Sequence, residues 1–151
     1  EAVISKNICL NTKGEKHSMY FNKINNFDAL CWHYDEVKTI PNNSTILASN
    51  DHSSIQALTF KLDRSDFWGV QYHPEFSPEW MIGLMKMRKQ VLLENEIYSS
   101  EDKYNQIIQA LLDISKSKNI SSEININKSI IKQKIHYLEL KNWLKYLENS
   151  L

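Results

Sequence analysis

Phe67-Trp68-Gly69-Val70-Gln71-Tyr72-His73-Pro74-Glu75-Phe76 reads as a strand that stops at a histidine. Aromatic and β-branched residues dominate up to Tyr72, the composition that fits a pleated, half-buried surface. Pro74 ends the ladder, because it lacks an N–H and its ring fixes φ. Ser77-Pro78-Glu79 then opens a helix. The serine hydroxyl can cap free N–H groups, the proline suits the first helical position, and the glutamate suits the positive end of the dipole. A titratable pair, His73 and Glu75, therefore sits at the carboxyl end of a strand, where open α/β sheets place their sites.

Upstream, short β segments alternate with turns. Ala2–Leu10, Leu30–Val37, Thr45–Ala48, Ile55–Lys61 and Phe67–Tyr72 have strand length and character. The intervening Asn11-Thr12-Lys13-Gly14, Pro41-Asn42-Asn43-Ser44 and Asn50-Asp51-His52-Ser53-Ser54 favour turns, since their side chains bond the local backbone. Downstream the period changes. Trp80, Met81, Leu84, Met85, Val91 and Leu92 recur at helical spacing, and a second helix carries Tyr104, Ile107, Ile108, Leu111 and Leu112 after the cap candidates Ser99 and Ser100. A polar linker is expected over 115–122. The tail from Lys128 to Leu147 is helical in pattern, with Ile131, Ile135, Leu138, Trp143, Leu144 and Leu147 available for burial.

The balance of the chain excludes several partners. Lys plus Arg equals Asp plus Glu at 18 each among 151 residues, so no global field favours nucleic acid or an anionic membrane. No apolar run reaches the length of a membrane span, and the start lacks the features of a signal peptide. Cys9 and Cys31 have no C-x-x-C spacing, which fits a reducing, cytoplasmic setting. The chain opens on Glu1-Ala2-Val3-Ile4, already strand-like and without an initiator methionine, so a longer natural protein is expected.

An imidazole next to a carboxylate suits nucleophilic catalysis: the ring takes the nucleophile's proton while the acid orients it. The nucleophile itself is missing. Neither Cys9, between Ile8 and Leu10, nor Cys31, in Leu30-Cys31-Trp32, lies in the glycine-flanked strand-to-helix turn that exposes a reactive side chain.

The string Gly69-Val70-Gln71-Tyr72-His73-Pro74-Glu75 resembles a signature of class I glutamine amidotransferases. Ordered blocks upstream strengthen the match: His33-Tyr34-Asp35-Glu36-Val37, Ile40-Pro41, Ile46-Leu47-Ala48-Ser49-Asn50 and Ile55-Gln56-Ala57 resemble the family's H-x-D-x-V, L-P, V-L-A-x-S and x-Q-A blocks. Stand-alone, GMP-synthase-like members are the nearest in phrasing. The resemblance implies an α/β fold, here a partial flavodoxin-like three-layer sheet followed by a helical C-terminal tail. Residues 1–98 would be the C-terminal portion of the amidotransferase domain and 99–151 a helical extension. It also implies glutamine as substrate, hydrolysed to glutamate and ammonia through a cysteine thioester, with no cofactor. A synthase domain or subunit would receive the ammonia. His73 and Glu75 would be the base and its orienting carboxylate in a Cys-His-Glu triad. The family's G-x-C-x-G elbow is absent here, so the chain alone is expected to be inactive.

Competing readings stay open on the residues alone. His73 and Glu75 could be a surface histidine beside a helix-capping glutamate. His33 and Asp35, two apart on one strand face, either border the glutamine site or satisfy each other. His33, Asp35, His73 and Glu75 are metal-ligand types, but their spacing matches no metal motif, and none is expected to bind one. Two alternatives compete with the amidotransferase: a γ-glutamyl hydrolase or peptidase using the same chemistry, and a non-catalytic regulatory or binding domain on the same scaffold.

Overall fold

Short connections dictate how the sheet pairs. Parallel neighbours need a crossover of a dozen or more residues, whereas β4 (Ala57–Leu62) meets β5 (Ser65–Val70) through the two-residue turn Asp63-Arg64. The computed structural model describes residues 1–116 and 126–149. Within them, β1 (Ala2–Leu10), β2 (Asn26–Trp32), β3 (Thr45–Ser49), β4 and β5 form one antiparallel sheet in the order β2-β1-β3-β4-β5. The chain divides into two compact units, Glu1–Glu75 with Asn127–Leu151, and Phe76–Ile126. The α/β class and the helical C-terminal end agree with the sequence reading.

The sheet of the first unit curls until its two edges meet. Beyond β5, Gln71 N donates to Gln56 O at 2.9 Å, Tyr72 bridges Cys31 of edge strand β2, and His73 N donates to Leu30 O at 2.7 Å. Inside the curl lie Ile8, Leu10, Met19, Tyr20, Phe27, Ala29, Cys31, Leu47, Ala48, Ala57 and Tyr72. β2 is buried on both faces along most of its length, because α5 (Lys128–Ile131) packs on its outer side. It begins at Asn26 and ends at Trp32, not at Leu30 and Val37 as the pattern suggests, since Asn26 and Phe27 pair with Cys9 and Ile8. A bulge interrupts β1 between Ser5 and Ile8, with Asn7 at φ 52°, a region that asparagine tolerates.

The expected turn at residues 11–14 is instead the start of a helix, α1 (Thr12–Lys16). Asn11 Oδ1 accepts from Lys13 N and Gly14 N, both at 2.9 Å, which converts a turn-forming side chain into a helix cap. Gly14 is required by proximity: a Cβ there would stand 2.1 Å from Leu47 O on β3. A 3-10 turn, Ser18–Tyr20, follows and seats Met19 and Tyr20 in the core.

After α5, α6 (Gln133–His136) and α7 (Leu138–Glu148) complete this unit. Their docking is polar where apolar burial is expected. Trp143, Leu144 and Leu147 are 42%, 56% and 40% exposed, while Glu139 and Asn142 face inward. The physical reason is satisfaction: Asn142 Nδ2 donates to Met19 O and Phe21 O, each at 2.9 Å, and the Glu139 carboxylate is bonded by Lys23 and Tyr72, as described below. Ile135 and Leu138 are half-buried, and the Ile131 side chain lies outside what is described. At the other end, buried Asp28 accepts from Lys6 Nζ, Asn7 N and Asn127 N at 3.0 Å each, while Ser129 Oγ donates to Asp28 O at 2.7 Å.

The second unit is helical: α2 (Pro78–Met87), α3 (Lys89–Glu94) and α4 (Glu101–Ser115). Ser77 and Ser100 cap α2 and α4 through Trp80 N and Lys103 N, each at 3.2 Å. Met81, Met85, Leu92, Tyr104 and Leu111 are buried, as their spacing predicts. Trp80 is not; it is 53% exposed and lies against Phe76. Of the linker expected over 115–122, all but Ser115 and Lys116 lies outside the described residues.

Candidate active site

The closing of the sheet places His73. Its N–H is spent on Leu30 O, so the residue is pinned to β2 just after the edge-to-edge bridge at Tyr72. Pro74 is buried and supplies the rigid step between the two titratable groups. The side chains that flank it turn toward one another: His73 Nδ1 lies 2.6 Å from Glu75 Oε1. With the carboxylate as acceptor, Nδ1 is the donor in this contact, which orients the ring. The imidazole is 30% exposed and the carboxylate 52%, so the pair is open to solvent. Pro74 also lines an apolar cleft of about 210 Å³ with Trp68, Val70, Leu140 and Trp143.

His33 and Asp35 are built differently. His33 Nδ1 is 2.8 Å from the backbone oxygen of Asp35, not from its carboxylate, and the Asp35 side chain is exposed. On its other side, His33 Nε2 is 3.5 Å from Glu1 Oε2 without hydrogen-bond geometry. Glu1 is held instead by Ser5 Oγ (3.0 Å to each oxygen), Asn50 Nδ2 (2.9 Å) and Gln56 Nε2 (2.6 Å). The structure thus gathers the four candidate residues into two sets, His73 with Glu75, and His33 with Glu1 and the Asp35 carbonyl.

Among the described residues, ligating atoms of Glu1, Cys31 and His33 come within 4.8 Å of one another. Burial, then the Glu1 carboxylate, pushes the Cys31 thiol far above its usual range. For the same reason Cys31, fully buried, cannot serve as a nucleophile.

A second polar cluster lies on the inner side of the same strand end. Tyr72 Oη donates to Glu139 Oε1 at 2.8 Å and lies 2.8 Å from Tyr20 Oη. Lys23 Nζ is 3.0 Å from both carboxylate oxygens of Glu139 and donates to Ile135 O at 2.9 Å. Burial raises both phenols well above their usual range and lowers Lys23, against the upward pull of Glu139. Sequence reasoning passes over Glu139, a charged residue on a face otherwise read for its apolar positions. Its signal is weak: Glu139 stands three residues before Asn142, on one stripe of α7.

Comparison with known proteins follows this geometry. The family model described as glutamine amidotransferase class-I matches residues 2–85. A curated relative, the γ-glutamyl-L-1-hydroxyisopropylamide hydrolase of Pseudomonas sp, is 30% identical over 150 residues, which cover 97% of this chain and 50% of that protein. The chain therefore spans about half the length of the relative it matches. Among the described residues no helix is long and apolar enough to cross a membrane.

Proposed function

The chain belongs to the class-I glutamine amidotransferase family, and from that premise we propose that it forms the His-Glu half of an enzyme that hydrolyses a γ-glutamyl amide through a cysteine thioester. The observation that carries the reading is the 2.6 Å contact between His73 Nδ1 and Glu75 Oε1. In the reaction, a cysteine from outside this chain gives its proton to His73 Nε2, and the thiolate attacks the amide carbon. The imidazolium, stabilised by Glu75, returns the proton to the departing nitrogen. Water, deprotonated by the same ring, then cleaves the thioester to release glutamate and regenerate the thiol. The exposed carboxylate of Asp35 suits the α-ammonium of a γ-glutamyl substrate, and His33 holds that loop through the Asp35 carbonyl.

Glutamine is the first substrate, with the ammonia passing to an acceptor on a synthase domain or subunit, in a cytoplasmic setting. A second reading is a γ-glutamyl hydrolase acting on a substituted amide, and the similarity to the Pseudomonas hydrolase favours it. Both use the same two residues. The test is release of ammonia from glutamine, against amine from a γ-glutamyl alkylamide, by the full-length protein and its His73→Ala variant. Turnover should fall by about 10³-fold with the melting temperature unchanged. Equal turnover of variant and parent on both substrates ends the assignment.

A further inference from the structure

The buried cluster beneath the strand end shares a peptide bond with His73. We propose that Glu139, on the C-terminal helix, is a positioning residue for His73 and acts through the phenol of Tyr72. The inference rests on the reading of His73 as the base.

Geometry makes the argument. Tyr72 and His73 are consecutive in extended chain, so their side chains leave opposite faces. Any roll of the strand end that moves the phenol must swing the imidazole the other way. The main chain is held by Gln71 N on Gln56 O, by the bridge to Cys31 and by the bond to Leu30 O. The phenol supplies a further fixed point on the buried face, with Glu139 Oε1 and Tyr20 Oη each at 2.8 Å. Glu139 cannot drift, because Lys23 holds both its oxygens and is itself tied to Ile135 O on the helix that precedes α7. The side chains of Lys23 and Glu139 are 2% and 4% exposed. A dry ion pair is a poor way to gain stability, since an apolar pair of similar size does as well or better. Its directional bonds give what apolar contact cannot, an angle at which Tyr72 is held. His73 and Glu75 need such support, because near-ångström misplacement of a reacting group costs orders of magnitude in rate.

Two double variants isolate the effect in the full-length protein. Lys23→Met with Glu139→Leu removes the ion pair and the acceptor for Tyr72. Lys23→Met with Glu139→Gln removes the same charges but leaves an amide oxygen for the phenol. Glutamine or γ-glutamyl alkylamide hydrolysis, whichever the parent performs, should fall about tenfold to hundredfold in kcat in the first, with KM within about twofold. The second should recover kcat to within about threefold of the parent. Equal kcat in the two folded doubles overturns the inference. If the leucine variant does not fold, Tyr72→Phe decides, since it deletes only the hydroxyl, and an unchanged kcat there has the same force. His73→Ala, run alongside, keeps the failures apart: an active His73→Ala removes the underlying reading, whereas a dead His73→Ala beside fully active doubles removes only the role of Glu139.

Discussion

His73 and Glu75 meet in the open, 2.6 Å apart and 30% and 52% exposed, while Lys23 and Glu139 meet in a dry interior at 3.0 Å, 2% and 4% exposed. Tyr72 stands between them, one residue from the first pair and bonded to the second. The exposed pair is local, two residues apart, and closing it orders little chain; in water such a contact contributes about 0–1 kcal/mol. The buried pair spans Lys23 to Glu139, and neither charge can be left alone without a large desolvation penalty. The exposed pair can therefore be altered at little cost to the fold. Under the proposed reading, the buried pair fixes the strand end from which the exposed one works.

Removing one partner from each pair breaks or sharpens this contrast. Lys23→Ala should lose about 3–5 kcal/mol of unfolding free energy in urea titrations, because the Glu139 carboxylate would be buried without its cation. A loss under about 1 kcal/mol would mean that water reaches the pair and that the two regions are not opposites. Glu75→Gln should show the reverse profile. Turnover should drop about hundredfold, equivalent to about 2.7 kcal/mol in barrier, while stability changes by less than about 0.5 kcal/mol. A variant that loses stability and keeps turnover would make Glu75 a structural cap.

These differences bear on how much could be read before the fold was known. The Ser77 and Ser100 caps and the helices they start are local matters, decided by residues within a few positions of each other, and they were legible; the strand before His73 was legible too, though β5 ends at Val70 and only an isolated bridge at Tyr72 continues it. So was the His73–Glu75 pair, whose geometry needs only a proline between two side chains. The α1 helix was misread because Asn11 has the same hydrogen-bonding options in a turn and at a helix cap. The closure of the sheet at Tyr72–Cys31 and the placement of Glu139 joined residues separated by 41 and 67 positions. Such contacts leave no periodic trace. In α7 the periodicity pointed outward: Trp143, Leu144 and Leu147 looked like the buried stripe, and the inward positions carried Glu139 and Asn142, whose partners are backbone and side-chain groups far up the chain.

A third imidazole lies between the two extremes of exposure and gives the smallest effect. His17 is half-buried, edge-on to Trp68 at 5.1 Å between centroids, and its Nδ1 accepts from Met19 N at 3.1 Å to cap the 3-10 turn. Burial lowers its pKa, and the nearby Asp66 only partly offsets that. The folded chain thus prefers the neutral ring, which is also the form able to accept from Met19. Above about pH 6.5, the usual value, both states are neutral and the cap contributes fully. As pH falls through that value the unfolded chain takes up the proton first, so stability declines until the folded ring titrates at lower pH. His17→Gln keeps an acceptor and removes the titration. Its melting temperature should therefore fall less than the parent's between pH 7.5 and pH 5.5. Identical declines would mean that the ring is protonated as readily when folded as when unfolded.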